Sequence, residues 1–519
     1  MGMVNPLIGP LGWGIFLGFF IIFVFLGFYG ARWRRGDLSQ LHEWALAGRR
    51  LGTFLVWFLV GADLYTAYTF IAVPSGVFAS GALYFFAVPY VATTFAVAAA
   101  TMPVLWRWSR LRNYVTAADF VQERFNSRLL AGFVAATGIV AEFPYIALQI
   151  IGMQAVLTVM LLGIVKNVKL VSDIALTIAF IILAAFTYTS GLRGATLTAV
   201  FKDALVFLGV IAILVAAPIA IPGAFSTAFK AATLAASTTK GLLVSGVDFL
   251  KPPFYLAYTT LWIGSALALY LYPHAVNGAL SSESDKKLAL STALLPIYGI
   301  ALALLAMYGI LIYGDTTAMK ILSLFPPAAR GSLVIPMLAV TTLPEWLAAL
   351  ALLGVFVGGL VPAAIMAMSQ ANLLVRNIIK PLNPRITPQG ETRAAKWASV
   401  IFKFLALGFV FIVPATYAIW LQLLGGIIIT QTLPSVFLGL VTDRLDKYSL
   451  MVGWAVGLGL GIYLFVTPHI PAAMSPLYPI AGHLVYIAVI ALAVNLLIVL
   501  VGTGIAMAIR RGASVSVSK

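Results

Sequence analysis

The chain has 519 residues, 62% of them hydrophobic and 9% charged, with a mean hydropathy of +1.04. Soluble domains are about half apolar and about a quarter charged, so a water-soluble protein is excluded; the 45 glycines and 26 prolines are scattered through apolar stretches, which excludes a disordered or collagen-like chain. The net charge of +16 would suggest nucleic acid in a soluble chain, but in a membrane protein basic residues gather in cytoplasmic loops and set orientation.

A spanning helix needs about 20 mostly apolar residues. In chain order such runs cover approximately 11–30, 51–73, 81–103, 129–162, 171–190, 197–221, 254–279, 289–313, 345–374, 398–420, 424–441, 449–467 and 479–509, thirteen in all. They are continuous and about twice the roughly 10-residue alternating segments of a membrane β-barrel, so the expected class is an all-α membrane protein. No basic stretch precedes the first run, and Arg32, Arg34 and Arg35 follow it, which predicts a retained helix with its N-terminus outside. Alternation from there puts 25 of the 32 basic residues inside, Lys202 among them, and leaves Lys166, Lys169, Lys230, Lys240, Lys251, Lys320 and Arg330 outside. The expectation is a multi-pass protein of the cell membrane with a cytoplasmic C-terminus and no appended soluble domain.

Two runs look interrupted. The second, FLVGADLYTAYTFIAVP, contains Gly61, the carboxylate of Asp63 and a Pro74 expected to stop the helix; the seventh, YTTLWIGSALALYLYPH, has Gly264-Ser265 in its middle and Pro273-His274 near its end. Interrupted spans are tolerated where they line a cavity, and transporters place solute and ion sites there. If 51–221 and 254–441 are two inverted five-helix repeats, each opens with a broken helix, leaving 11–30 and 449–509 peripheral within one transporter domain, 1–519. Pro414 and the Gly425-Gly426 pair add a further flexible point.

Charges inside lipid are costly and point to function by default. Asp63 and Glu142 lie well inside runs, Asp203 near a helix entrance and Glu345 at another end. Asp63 is either functional or satisfied by amides freed at the break. Glu142, Tyr145 and Gln149 in EFPYIALQ share one helical face, a polar strip that either lines the transport path or binds neighbouring helices. His274 reads as a structural hydrogen-bonding residue. With no cysteines, and His42, His274, His469 and His483 at no ligand spacing, disulfides, Cys-ligated zinc and iron–sulfur clusters are excluded, and no enzymatic constellation is visible.

The stretches LAGRRLGTFLVWFLVGADLYTAYTFIAVP, YVTAADFVQERFNSR, PYIALQIIGMQAVL, TYTSGLRG with Lys202-Asp203, YPHAVNGALSS and PAAIMAMSQANLLVRNI occur in this order over nearly the whole chain. They resemble the sodium/solute symporter family, and within it the bacterial monocarboxylate permease branch. The resemblance implies thirteen helices with a LeuT-type 5+5 inverted-repeat core, and a lactate-, pyruvate- or acetate-like solute, with an amino acid or other small solute as the alternative. Tyr272 stands where the proline branch carries Gln. The family's sodium site maps onto backbone carbonyls of Gly61 and Leu64, and onto Ala364, Ala367 and Met368, the last two at positions that carry hydroxyls in the family. Asp63 and Asp203 match acidic positions that the family associates with sodium coupling.

Sodium wants hard oxygen ligands, and methyl and thioether groups at 367 and 368 offer none; Ser369 is one 100° helical step away from pointing inward. The coupling ion is therefore left open between Na+ and H+, with uncoupled transport as a further alternative and Glu142 as the candidate proton carrier. Half-helix N-termini can hold a carboxylate without an arginine. The candidate walls are Tyr65, Thr66, Tyr145, Gln149, Ser265 and Gln422. The expected partners are a small solute and the lipid bilayer, with no nucleic acid, no organic cofactor and no obligate protein partner.

Overall fold

A computed structural model describes residues 5–34, 36–412, 418–467 and 475–517; Arg35, Pro414 and His469 lie outside the described residues. Among the described residues twelve helices are long and apolar enough to cross a bilayer, and the count is thirteen with the bent pair Thr53–Leu64 and Tyr68–Ser80, meeting at 45°, taken as one broken span. The expected all-α architecture of thirteen spans is therefore the one observed.

Burial orders the spans from centre to rim. The apolar window of the ninth, Glu345–Leu382, is wholly buried, whereas those of the first, Pro10–Tyr29, and the twelfth, Lys447–Val466, are 22% and 33% buried. The ninth span gets close to its neighbours through small residues: a Cβ on Gly354 would lie 3.1 Å from the Leu205 backbone, and one on Gly359 2.7 Å from the Gln149 carbonyl oxygen.

The second span unwinds at Tyr65 (φ −89°, ψ 71°) and rewinds through a π-turn, Tyr68–Ala72, into Val73–Ser80. Pro74 does not stop it. The proline sits in the first turn of the last piece, where a missing N–H is tolerated, and the helix ends instead at Gly81. The seventh span runs unbroken through Gly264-Ser265 as Tyr255–Ala268, tightens into a 3-10 turn at Leu269–Leu271, and restarts as Pro273–Leu280. The break is thus at the Pro273-His274 pair, about two turns beyond Gly264-Ser265. Its cause is Pro273, which lacks an N–H and drives the residue before it out of the helical region; Tyr272 is extended at φ −63°, ψ 135°. Gly264 serves packing, since a Cβ there would lie 2.7 Å from the Tyr486 ring.

Three other boundaries move. Gly191 at φ +57° is the whole connection between Val168–Ser190 and Leu192–Ala220, so the sixth span begins five residues before the expected 197. Lys202, assigned above to an inside loop, and Asp203, assigned to a helix entrance, therefore lie well within a membrane helix. The last span starts at Ile487 rather than 479, because Leu477–Ile480 and His483–Tyr486 form an antiparallel hairpin with Ala481 and Gly482 at positive φ, the backbone that two-residue hairpin turns require. Between the expected runs lie the further helices Ala224–Thr238, Thr316–Leu322 and Val334–Thr342.

Candidate functional site

Unwinding the second span frees carbonyls in a place where water cannot satisfy them. Lys202, from the sixth span, takes two of them: its ammonium donates to the carbonyl oxygens of Tyr65 at 2.7 Å and Ala62 at 3.2 Å. The same ammonium pairs with Asp203 Oδ1 at 2.8 Å, and both side chains are wholly buried. Asp203 Oδ2 accepts the Tyr298 hydroxyl at 2.8 Å. Tyr298 stacks obliquely on Tyr65, ring centroids 4.5 Å apart, and passes so close to the second span that a Cβ on Gly61 would lie 2.1 Å from its hydroxyl. On the other side of the bend the Ala67 amide donates to Gln149 Oε1 at 2.8 Å, and the Thr69 hydroxyl donates to the Leu64 carbonyl.

The second break holds a carboxylate. The first N–H groups of a helix have no internal partner and carry partial positive charge. At the start of Pro273–Leu280 the His274 amide donates to Glu142 Oε1 at 3.1 Å, His274 Nδ1 lies 2.9 Å from the same oxygen, and the Ser369 hydroxyl donates to it at 3.0 Å. All three residues are buried, and Glu142 Oε2 and His274 Nε2 have no hydrogen-bond partner. Tyr145 closes over the cluster, its ring 5.3 Å from Tyr272 and 5.4 Å from His274, its hydroxyl within reach of Thr66. A cavity of about 20 Å³ opens beside Pro273, Asn277 and Ser369 toward Thr116, enough for a water molecule.

Asp63 is buried, and neither of its oxygens has a hydrogen-bond partner. It lies within electrostatic range of His274, Glu142, Lys202 and Asp203, so it joins the two clusters. Gln422 belongs to the eleventh span, Trp420–Val441; its carbonyl accepts the Tyr272 hydroxyl at 3.3 Å and its side-chain oxygen is buried without a partner. The neighbouring Gly425 is a point of close approach rather than a hinge, since a Cβ there would lie 2.4 Å from the Tyr272 hydroxyl.

Of the residues singled out from sequence, the structure brings Asp63, Tyr65, Thr66, Glu142, Tyr145, Gln149, Asp203 and Gln422 around the two breaks. Ser265 lies inside the continuous helix, buried, with its hydroxyl unpartnered. The Gly61 carbonyl accepts the Tyr65 amide at 2.8 Å, so this carbonyl and that of Leu64 are engaged locally, while the ammonium reaches Ala62 and Tyr65 instead. Ala364, Ala367 and Met368 are fully buried on the ninth span and bring no side-chain oxygen. Ser369 turns to Glu142 rather than to the bend. Among the described residues no three His, Asp or Glu side chains are grouped to hold a metal.

Sequence reasoning missed Lys202, Tyr298 and the partnership of Glu142 with His274. Lys202 had a visible signal, a Lys-Asp pair inside a long apolar run. Tyr298 had none, because its role depends on Gly61, more than two hundred residues away in the chain. At the membrane edge Arg49 is buried and donates to Tyr114 and Leu280 carbonyls and to Ser109; burial, aided by Arg110, pushes its guanidinium down to about 10. It caps the C-terminal end of the half-helix whose N-terminus holds Glu142, as the helix dipole favours.

Comparison with known proteins gives the following. The model of the sodium:solute symporter family matches residues 44–457. The chain is 39% identical over 493 residues to a monocarboxylate transport permease protein of Rhizobium johnstonii, covering 94% of this chain and 95% of that one. It is 25% identical to the sodium/pantothenate symporter of Escherichia coli, covering 84% and 87% of the two chains. A substrate-bound, outward-open Na+-coupled sialic acid symporter superposes with a TM-score of 0.72 at 15% identity, covering 96% of this chain and 98% of that one.

Proposed function

The chain belongs to the sodium:solute symporter family, and from that premise we propose that it is a secondary transporter of a small monocarboxylate, working by alternating access and driven by protons. The solute class is supported by the permease relative and by the chemistry of the second break. The observation that carries the reading is the occupant of the half-helix at Pro273: its N-terminal amide already holds a carboxylate, that of Glu142. A seat that accepts one carboxylate accepts another of the same geometry.

Two carboxylates cannot share that seat while both are ionised, because like charges at such range repel strongly in a low-dielectric site. A proton on Glu142 removes the repulsion and weakens its charge-assisted hold on the His274 amide. The solute carboxylate then takes the amide, and Tyr145, Tyr272 and Thr66 enclose its short apolar body. Solute and proton enter together and leave together, which makes the cycle symport. Asp63 and Gln422, each with a buried unpartnered oxygen, are the remaining polar walls. The repeat boundaries 51–221 and 254–441 and the N-out, C-in orientation form part of the same proposal.

Purified protein in proteoliposomes tests it. An acid-outside pH gradient, with no sodium present, is expected to drive accumulation of radiolabelled lactate, competed by pyruvate and acetate. Accumulation under a sodium gradient that is indifferent to a pH gradient would refute proton coupling, and a failure of all three acids to exchange would refute the solute class.

A further inference from the structure

We propose that the Lys202 ammonium is a built-in cation that takes the place of a coupling sodium ion, and that this chain therefore transports without sodium. The inference rests on the family reading that a cation belongs beside this bend, and on geometry for what is there instead: an ammonium on the Ala62 and Tyr65 carbonyls, each one residue along from the Gly61 and Leu64 carbonyls that the resemblance implies. Three oxygens converge on one point beside the bend of the second span: the Tyr65 carbonyl, the Ala62 carbonyl and Asp203 Oδ1, at 2.7, 3.2 and 2.8 Å from Lys202 Nζ. A carboxylate with two carbonyls is the donor set of a hard cation. The ammonium supplies the same charge from a side chain that cannot leave.

The rest of the neighbourhood agrees. A free ion would need further oxygens from the ninth span, and Ala367 and Met368 bring none. The nearest hydroxyl along that helix, Ser369, is committed to Glu142. An ammonium has no such need: it donates to the two carbonyls and pairs by charge with Asp203 Oδ1, and the stem of the lysine fills the space. Asp203 is held for this role from its other side, where Tyr298 donates to Oδ2 at 2.8 Å. Asp203 thus acts as the counter-ion of a tethered cation, and the bend keeps its shape through a transport cycle in which no ion binds or leaves beside it.

Removing the ammonium while keeping the oxygens should turn the place into an ion site. The experiment compares wild type with Lys202→Met, which keeps the length of the stem and removes the charge. It reads lactate counterflow in proteoliposomes and the thermal midpoint of the detergent-solubilised protein, in sodium chloride against choline chloride at equal ionic strength. For wild type, counterflow is expected to agree within about twofold between the two salts, with no sodium-specific shift in midpoint. For Lys202→Met, counterflow in choline is expected to fall at least about tenfold and to recover with millimolar sodium, which also raises its midpoint by mass action. The double variant Lys202→Met/Asp203→Asn, lacking both charges, is expected to show no sodium response.

A wild type that loses most of its counterflow in choline, or whose midpoint rises with sodium, overturns the proposal without any variant. So does a Lys202→Met protein with full counterflow in choline. If lactate is not the solute, counterflow is silent for every protein while the midpoints still report on the ion, so an error in the solute class is separable from an error here. If Lys202→Met does not fold, the wild-type comparison decides.

Discussion

Replacing Glu142 with glutamine mimics the protonated carboxyl with almost no change of shape, and what it should do follows from the bonds counted above. Glu142 Oε1 accepts from the His274 amide and from the Ser369 hydroxyl, and lies 2.9 Å from His274 Nδ1, which is the donor when the carboxylate is ionised. Bonds to a charged acceptor contribute about 1.5–3 kcal/mol each and neutral ones about 1 kcal/mol. Glutamine keeps the acceptor, so the three donors stay partnered and the loss is on the order of 1 kcal/mol per bond. Glu142→Ala instead strands three buried donors at about 1–3 kcal/mol each, enough to threaten the fold. The glutamine protein is therefore expected to fold, to exchange lactate for lactate at a rate independent of pH, and to fail at accumulation. The scale of the loss is set by the gradient: one pH unit is worth 1.36 kcal/mol per proton, about a tenfold concentration ratio. Wild type is expected to approach that ratio across one unit of pH difference, and Glu142→Gln to stay near unity. A Glu142→Gln protein that still concentrates lactate in response to the pH gradient would refute Glu142 as the carrier, whatever its exchange rate.

Other substitutions probe the frame of the site. Gly61→Ala drives a methyl to 2.1 Å from the Tyr298 hydroxyl; overpacking of this kind costs about 1–3 kcal/mol, and thermal denaturation in detergent should show it as a lowered midpoint, whereas an unchanged midpoint would mean that Tyr298 has room to retreat. Gln149→Leu removes the acceptor of the Ala67 amide and leaves a buried N–H unpaired at about 1–3 kcal/mol, so both midpoint and counterflow rate should fall. Pro273→Ala restores an N–H and frees Tyr272 to turn helical; the protein should remain folded with a weaker apparent affinity for lactate, read from the concentration dependence of exchange.

The number of spans was legible because lipid demands uninterrupted apolar length, and a periodic strip such as Glu142, Tyr145 and Gln149 was legible because all three sit on one helix. The bend of the second span could be read from a glycine and a carboxylate in an apolar run. For the break of the seventh span the residues offered two places, Gly264-Ser265 and Pro273-His274, and Pro273 carried the stronger rule: a proline acts on the residue before it, whereas a glycine is often only a place for a neighbour's ring, here that of Tyr486. Lys202 was misassigned because charge counting treats every lysine as belonging to water, and nothing local shows that two carbonyls from another span await it. The pairing of Glu142 with His274 spans 132 positions, and no spacing rule reaches that far. The hairpin before Ile487 was lost because its residues are apolar enough to extend the run that follows.

The bend of the second span is moored on both sides, to the sixth span by the Lys202 ammonium and to the fourth by the Gln149 amide. Neither tether can be cut cheaply where water is scarce. Any swing that carries the bend from one face of the bilayer toward the other must then tow those two helices with it, as one stiff paddle. The give in the machine has to be sought along the outer surfaces of that paddle, where it slides past its neighbours, and not at the kink itself.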